Sequence, residues 1–413
     1  MARTYKPVDF LNLDELLSNE SKLLVKELRR TLHRLDARAV FAEAFKNNQF
    51  PRHIVGEIAK MDLFGMTLPA KYGGMDASYE NYGVVCRELE AIDSGLRSFV
   101  SVQNSLVMFP IYNCGSEEQK MTYLPKLAKP GLEGGMIGCF GLTEPNHGSD
   151  PGSMETVAKK IKKGDQIPGS NEKAAGDGYI LNGVKRWITN ASIADLCIVW
   201  AKQEHDNNRV GGFIVLKDDP GLKRVEMENK LSLCASSTGE LYFDNCFVPE
   251  ERCMPNTQGL KSALQCLNKA RYGIAWGGVG VAMDCFDEAR QYAESRIQFD
   301  RPLSHNQIIQ DSLVEMYTDI TRNQAYVFHL AKLMDSGQAK HVHISIGKLT
   351  CLDDALKASL IARDMLGANG ITLDYSPIRH MANLQSVITY EGTRNMHKLI
   401  IGEHLTGKAA FRG

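Results

Sequence analysis

The chain has 413 residues, 43% hydrophobic and 23% charged, with a formal net charge of −1. That length allows two or three domains with a sizeable core, in a composition ordinary for globular proteins. It excludes a general basic field for nucleic acid or an anionic bilayer, and no apolar run approaches the roughly 20 residues that cross a membrane.

The start, MARTYKPVDFLNLDELLSNES, has acids within its first 15 residues and no apolar stretch. It reads as neither a secretory signal nor a transit peptide. From there to about 135 the pattern predicts helices: 13–35, 51–61, 79–92, 101–115, then EEQKMTYLPKLAK ended by Pro130. Gly and Pro fall mainly between these segments, as in LPAKYGGMDAS. From about 136 to 255 the texture changes to short β-like runs, YILNGVKRWITN, ADLCIVWAKQ, GGFIVLKD and GELYFDNCFVP, with NG, DDPG and DN as turns. The Lys- and Gly-rich stretch 159–178 reads as a surface insertion. From about 256 long helices return, and Gly367 and Gly370 end the last long one. The expected fold class is therefore α+β, with domains at 1–135, 136–255 and 256–413.

The ten cysteines have no C-x-x-C pair and sit mostly in apolar contexts, which predicts reduced, buried thiols. His341 and His343 have no third ligand nearby and read as surface residues. GGVGVAM is not G-x-G-x-x-G and lies inside a helical pattern with no preceding strand. Small residues for close helix packing are the better account. No G-x-S-x-G, H-E-x-x-H or Walker loop appears, which argues against serine or zinc hydrolysis and phosphoryl transfer.

Four segments could carry other chemistry. GCFGLTEPNHGSD (138–150) is a strand followed by a loop offering N–H groups and hydroxyls to an anionic or carbonyl-rich ligand, or else a plain polar turn. RWITN ends a strand with Trp187, which suits either a cover for a flat ring or a core position. SRIQFDRPLSHNQ places Arg296 and Phe299 at a helix end with Gln307 beyond; an arginine there suits a pyrophosphate or a surface ion pair. In TYEGTRN, Glu391 precedes a helix marked by Met396, Leu399, Ile400 and Leu405 and capped by Thr393. An acid at that place is favoured by the helix dipole alone.

Taken together, LTEPNHGSD, RWITN, RIQFDRPLSHNQ, DMLGANG and YEGTRN, in this order, resemble the acyl-CoA dehydrogenase family of flavoproteins over nearly the whole chain. The resemblance implies an N-terminal α-helical domain, a middle β-domain and a C-terminal four-helix bundle. It implies FAD held by Phe140, Leu142, Thr143, Gly148, Ser149, Trp187, Ile188 and Thr189. Arg296, Phe299 and Gln307 would reach FAD from a neighbouring subunit. Asp364, Met365, Leu366, Gly367 and Ala368 would contact its pyrophosphate, and Thr393, Asn395 and Phe411 would also touch it. The chain departs from the family pattern at Asp364, where many relatives have Gln, at Ala368, where many have Gly, and at Asp300. Glu391 matches the family's catalytic base.

Within the family, residues 92–108 are similar to the segment that holds the distal carboxylate in members acting on glutaryl-CoA. Arg97 and Ser98 stand at the matching positions, with Glu90 to orient Arg97. A dicarboxylic substrate ends in a charge that is costly to bury without a cation. The stretch LNKARYG resembles the CoA contact, with Leu264, Asn268 and Arg271 as substrate-binding residues beside Ser149, Tyr390 and Gly392. Tyr390 is the residue type of decarboxylating members. The resemblance thus implies oxidative decarboxylation of glutaryl-CoA to crotonyl-CoA and CO2, in lysine and tryptophan degradation. It further implies a homotetramer reoxidised by electron-transferring flavoprotein, in the mitochondrial matrix or a bacterial cytoplasm, with no metal, nucleic acid or membrane insertion. The rival readings are a short-chain acyl-CoA dehydrogenase or oxidase, and a non-catalytic family member.

Overall fold

The computed structural model describes residues 9–410, and its N-terminal helices begin where the sequence offers caps. Ser18, Ser78, Asp93 and Ser116 each accept a hydrogen bond from a backbone N–H in the following turn. They open α1 (Asn19–Arg34), α4 (Tyr79–Ile92), α5 (Ser94–Ser101) and α7 (Glu117–Leu127). Between them lie α2 (Ala37–Lys46), α3 (Val55–Ala59), a π-helical segment Val102–Met108 and α6 (Phe109–Cys114). Two boundaries differ from expectation. The helix expected over 13–35 is a 3-10 turn, Leu13–Leu16, then α1, because the Ser18 cap forces the backbone out of helical angles. The helix expected to end at Pro130 stops at Leu127, where Leu132 N–H to Lys129 O (3.1 Å) and Gly135 N–H to Leu132 O (3.0 Å) close successive turns.

Seven strands follow: β1 (Gly138–Gly141), β2 (Val157–Ile161), β3 (Gly178–Thr189), β4 (Leu196–Gln203), β5 (Arg209–Leu216), β6 (Leu222–Glu226) and β7 (Thr238–Pro249). They form one sheet in the order β1-β4-β2-β3-β7-β6, with β5 paired to β4. Only β1 and β2 run parallel to β4. Two strands, β2 and β6, are not legible in the sequence. β2 carries Lys159 and Lys160 inside the polar stretch, and β6 has no buried side chain; neighbours impose both.

The C-terminal part comprises α8 (Leu260–Ser295), a hairpin of β8 (Ile297–Gln298) and β9 (Arg301–Pro302), α9 (Gln307–Asp335), α10 (His341–Met365), α11 (Pro377–Val387) and α12 (Arg394–Thr406). This is the expected order of helical domain, β-domain and helices. One hydrophobic core runs through both helical parts, and a second lies in the sheet. All ten cysteines are free, and all but the half-buried Cys253 are buried. Among the described residues no helix is long and apolar enough to cross a membrane, and no cluster of ligands could hold a metal.

The glycines of GGVGVAM explain how α4 and α10 close on α8. A Cβ at Gly277 would lie 1.6 Å from Glu90 Oε2, at Gly280 2.0 Å from the Arg87 carbonyl, and at Gly278 2.9 Å from that of Cys351. Gly277→Ala is expected to destabilise the fold by about 1–3 kcal/mol, because Glu90 is clamped and cannot swing aside. Gly402→Ala on α12, where nothing lies within 4 Å, should be neutral or slightly stabilising. Thermal melts of the two variants check this; equal melting temperatures would refute the close-packing account.

Candidate active site

At the end of α11 the carbonyl of Ser386 accepts from the N–H groups of Thr389 and Tyr390, both at 2.9 Å, and the chain then turns sharply. Glu391 adopts left-handed angles, φ 53°, and Gly392 follows at φ 95°. Positive φ in a glutamate is uncommon and is a recurring mark of functional sites. Thr393 caps α12 as expected, accepting from Met396 N–H at 3.2 Å. Any side chain at Gly392 would crowd His397 Nε2 (3.0 Å) and Arg271 Nη2 (3.1 Å).

Three cations face this turn. Lys348 on α10 donates to the carbonyls of Tyr390 and, at 2.7 Å, Gly392. Arg271 on α8 donates through Nε to the Glu391 carbonyl at 2.6 Å, and through Nη1 to Asn268 Oδ1 at 3.3 Å. Arg97 on α5 donates to the Tyr390 hydroxyl and to both oxygens of Glu90, at 2.6 and 3.1 Å. Arg97 and Glu90 are both wholly buried. Among the described residues, four polar atoms at this turn are shut from solvent with no hydrogen-bond partner: Glu391 Oε2, Arg97 Nη1 and both ring nitrogens of His397. A buried charge without a partner is costly unless something else completes the site.

The electrostatics follow from this crowding. Burial raises the Glu391 carboxyl above its ordinary value, more than Lys348, Arg97 and Arg271 lower it. Burial holds the Lys348 ammonium well below its ordinary value, against the pull of Glu391. Burial pushes His397 down to about 3, helped by Lys348 and Arg271, so it is neutral near pH 7. Burial alone would lower Arg97, but Glu90 and Tyr390 hold it above its ordinary value. With ordinary charges, Arg97, Arg271 and Lys348 outnumber Glu90 and Glu391 by one positive charge. Moving a proton from Lys348 to Glu391 leaves that excess unchanged.

A second group gathers where β1 and β3 end. The register of β3 against β7 breaks between Lys185 and Ile188, and Trp187 inside that irregularity has φ 63°. Bulges of this kind re-aim side chains. The indole is 57% exposed, whereas Trp200 and Trp276 are wholly buried; of the two readings of Trp187, the core position is excluded. Arg186 N–H donates to Thr143 O at 2.8 Å, tying this strand to the loop after β1. Beneath it, the buried Lys185 ammonium reaches Leu142 O at 3.2 Å and Glu144 Oε1 at 2.7 Å. Phe140, Leu142 and Ile188 are buried, Thr143 and Thr189 half-buried, and Gly148 and Ser149 exposed on the loop.

The remaining expected residues stand apart. Arg296, Phe299 and Gln307 are exposed at the β8–β9 hairpin and the start of α9, Phe299 being 94% exposed. Asp364, Gly367 and Ala368 are exposed where α10 ends, with Met365 half-buried and Leu366 buried. No hydrogen bond among the described residues joins either set to the Glu391 turn. Leu264, Asn268 and Arg271 lie one helical turn apart on one face of α8. Ser98 is buried next to Arg97, Asn395 is exposed in the first turn of α12, and Phe411 lies outside the described residues.

Sequence reasoning missed Lys348, His397 and the Lys185–Glu144 pair. Lys348 had a readable signal: it shares the buried face of α10 with Ile344, Cys351, Leu352 and Ala355, where a cation breaks the apolar stripe.

Comparison with known proteins places this geometry. The sequence matches the acyl-CoA dehydrogenase N-terminal domain over 18–130, the middle domain over 139–246 and the C-terminal domain over 257–406. It is 35% identical over 391 residues to an acyl-CoA dehydrogenase of Bacillus subtilis, covering 94% of this chain and 98% of that one. It is 32% identical to the human mitochondrial short-chain specific acyl-CoA dehydrogenase, covering 89% and 85%. Its fold matches a glutaryl-CoA dehydrogenase from Mycobacterium smegmatis in complex with FADH2, at TM-score 0.90 and 41% identity, covering 99% of this chain and 100% of that one.

Proposed function

The chain belongs to the acyl-CoA dehydrogenase family, and from that premise we propose that it oxidises and decarboxylates glutaryl-CoA, giving crotonyl-CoA and CO2. Its cofactor is FAD. The observation that carries the substrate assignment is Arg97: a wholly buried guanidinium, fixed by Glu90 and hydrogen-bonded to the tyrosine that precedes Glu391, with one nitrogen unpartnered. A straight-chain acyl group has no use for such a cation. The single positive excess of the surrounding cluster is what one substrate carboxylate would neutralise.

The residues at the β1 and β3 ends fit a flavin. An exposed indole in a bulge supplies a flat face beside the loop of Thr143, Gly148 and Ser149. Phe140, Leu142, Thr143, Trp187, Ile188 and Thr189 would hold the ring system. Arg296, Phe299 and Gln307 would serve a neighbouring copy, in keeping with their exposure and with a homotetramer. FAD, when bound, supplies the acceptor for the hydride lost from the substrate β-carbon.

Every other step belongs to the chain. Asn268 and Arg271 hold the thioester end, and Arg97 the distal carboxylate. Glu391 takes the acidified α-proton; its buried carboxylate, with a raised pKa, is a stronger base than one in water. The γ-carboxylate then leaves as CO2, because the thioester stabilises the electrons left behind, and the proton on Glu391 returns to the carbon chain. The electron acceptor would be an electron-transferring flavoprotein.

The curated relatives favour a second reading, a short-chain acyl-CoA without the carboxylate. Anaerobic titration with glutaryl-CoA, following flavin absorbance with product identification by mass, separates the two. Bleaching with release of crotonyl-CoA and CO2 is expected. Bleaching with butyryl-CoA alone would discard the dicarboxylate assignment and keep the family.

A further inference from the structure

We propose that Lys348 is a positioning residue for Glu391, holding the 390–392 turn by two of its carbonyls and lending its charge to the base. The inference rests on Glu391 being the base. Three consecutive carbonyls of that turn are held by two buried cations: Tyr390 and Gly392 by Lys348, Glu391 by Arg271. The middle residue is the one with left-handed backbone angles. Left unheld, a glutamate would leave this conformation, which is strained for a residue that carries a Cβ. Lys348 is 1% exposed, and its ammonium is spent on backbone oxygens of one turn and not on a carboxylate. A lysine whose only task is packing would be better replaced by an apolar side chain on this face of α10.

The charge acts with the hydrogen bonds. Glu391 is faced by Arg97 from α5, Arg271 from α8, Lys348 from α10 and the neutral His397 from α12, with Glu90 of α4 behind Arg97 and Tyr390 adjacent in the chain. Of the cations, Lys348 is the largest influence lowering the Glu391 carboxyl, against burial that raises it; the support is mutual, since ionised Glu391 opposes the burial that holds the Lys348 ammonium below its ordinary value. Removing it leaves burial less opposed, so the base needs a higher pH to ionise.

The test uses the FAD-loaded enzyme with Lys348→Met and Lys348→Gln, monitored by melting temperature, FAD content and the pH profile of flavin reduction. In Lys348→Met, kcat should fall about 10–100-fold with KM little changed. Its acid limb should move to higher pH, because burial of Glu391 is then less opposed. Lys348→Gln keeps a donor and loses the charge, so it should recover part of kcat while the limb stays displaced. A wild-type limb and kcat in either folded variant would overturn the proposal. So would failure of both variants to fold, which would make Lys348 a fold determinant only. Glu391→Gln run in parallel separates the two levels: if it still reduces flavin, the base assignment itself has failed, whatever Lys348 does.

Discussion

Glu391→Gln is expected to give a folded, FAD-containing protein whose flavin is reduced by acyl-CoA at least about 10³-fold more slowly than in the wild type. That factor corresponds to about 4 kcal/mol of barrier. The amide has the shape of the carboxylate and can sit in the same left-handed turn, but it cannot accept the α-proton. Because the carboxyl is raised by burial, the wild-type acid limb should lie above the ordinary glutamate value of 4.5, with activity falling as pH drops through it. The stability sign is opposite to that of a salt-bridged acid. A folded-state pKa above the unfolded value means the native protein binds the proton more tightly. The stabilisation is fully present below the unfolded pKa and lost as pH rises through the folded one. At neutral pH the glutamine variant should therefore melt no lower than the wild type. Rapid-mixing reduction and thermal melts measure both. A reduction rate within tenfold of wild type would remove Glu391 from the chemistry.

Much of this site was legible before the fold. Thr393 announced the start of α12, and the alternation of helix and strand textures gave the order of the three parts. Glu90 and Arg97 sit two helical turns apart in sequence count, yet they lie on different helices. Asp93 breaks α4 from α5, and the pair closes across that break. Local spacing could suggest the pair but not its burial, which α8 imposes through Gly277. Lys348 and Arg271 meet the 390–392 turn from positions 42 and 120 residues away in sequence from their partners Tyr390 and Glu391. No single-sequence pattern encodes such a meeting. β2 and β6 were hidden for the related reason that a strand's neighbours, and not its own residues, create its ladder.

Arg97 is where substrate choice should be most exposed to mutation. Arg97→Met alone leaves the buried Glu90 carboxylate without its partner, a change that costs about 3–5 kcal/mol and confuses stability with specificity. The informative protein is Glu90→Gln/Arg97→Met, which removes both charges together. Its kcat/KM for glutaryl-CoA should fall about 10²–10³-fold, equivalent to about 3–4 kcal/mol. With butyryl-CoA, which places no charge there, the value should stay within about tenfold of wild type. Arg97→Lys should fall between them, since an ammonium keeps the charge but cannot bind both Glu90 oxygens and the Tyr390 hydroxyl with one planar fork. An equal loss with both substrates would assign Arg97 to the support of Tyr390 and the turn that carries Glu391, and would leave the distal end of the substrate without a partner. The clamp must also let its ligand go. Binding the carboxylate equally in ground and transition states lowers KM without speeding release of CO2. If Arg97 holds the distal carboxylate as proposed, Glu90, by sharing the same guanidinium, would keep it from being held too tightly to leave.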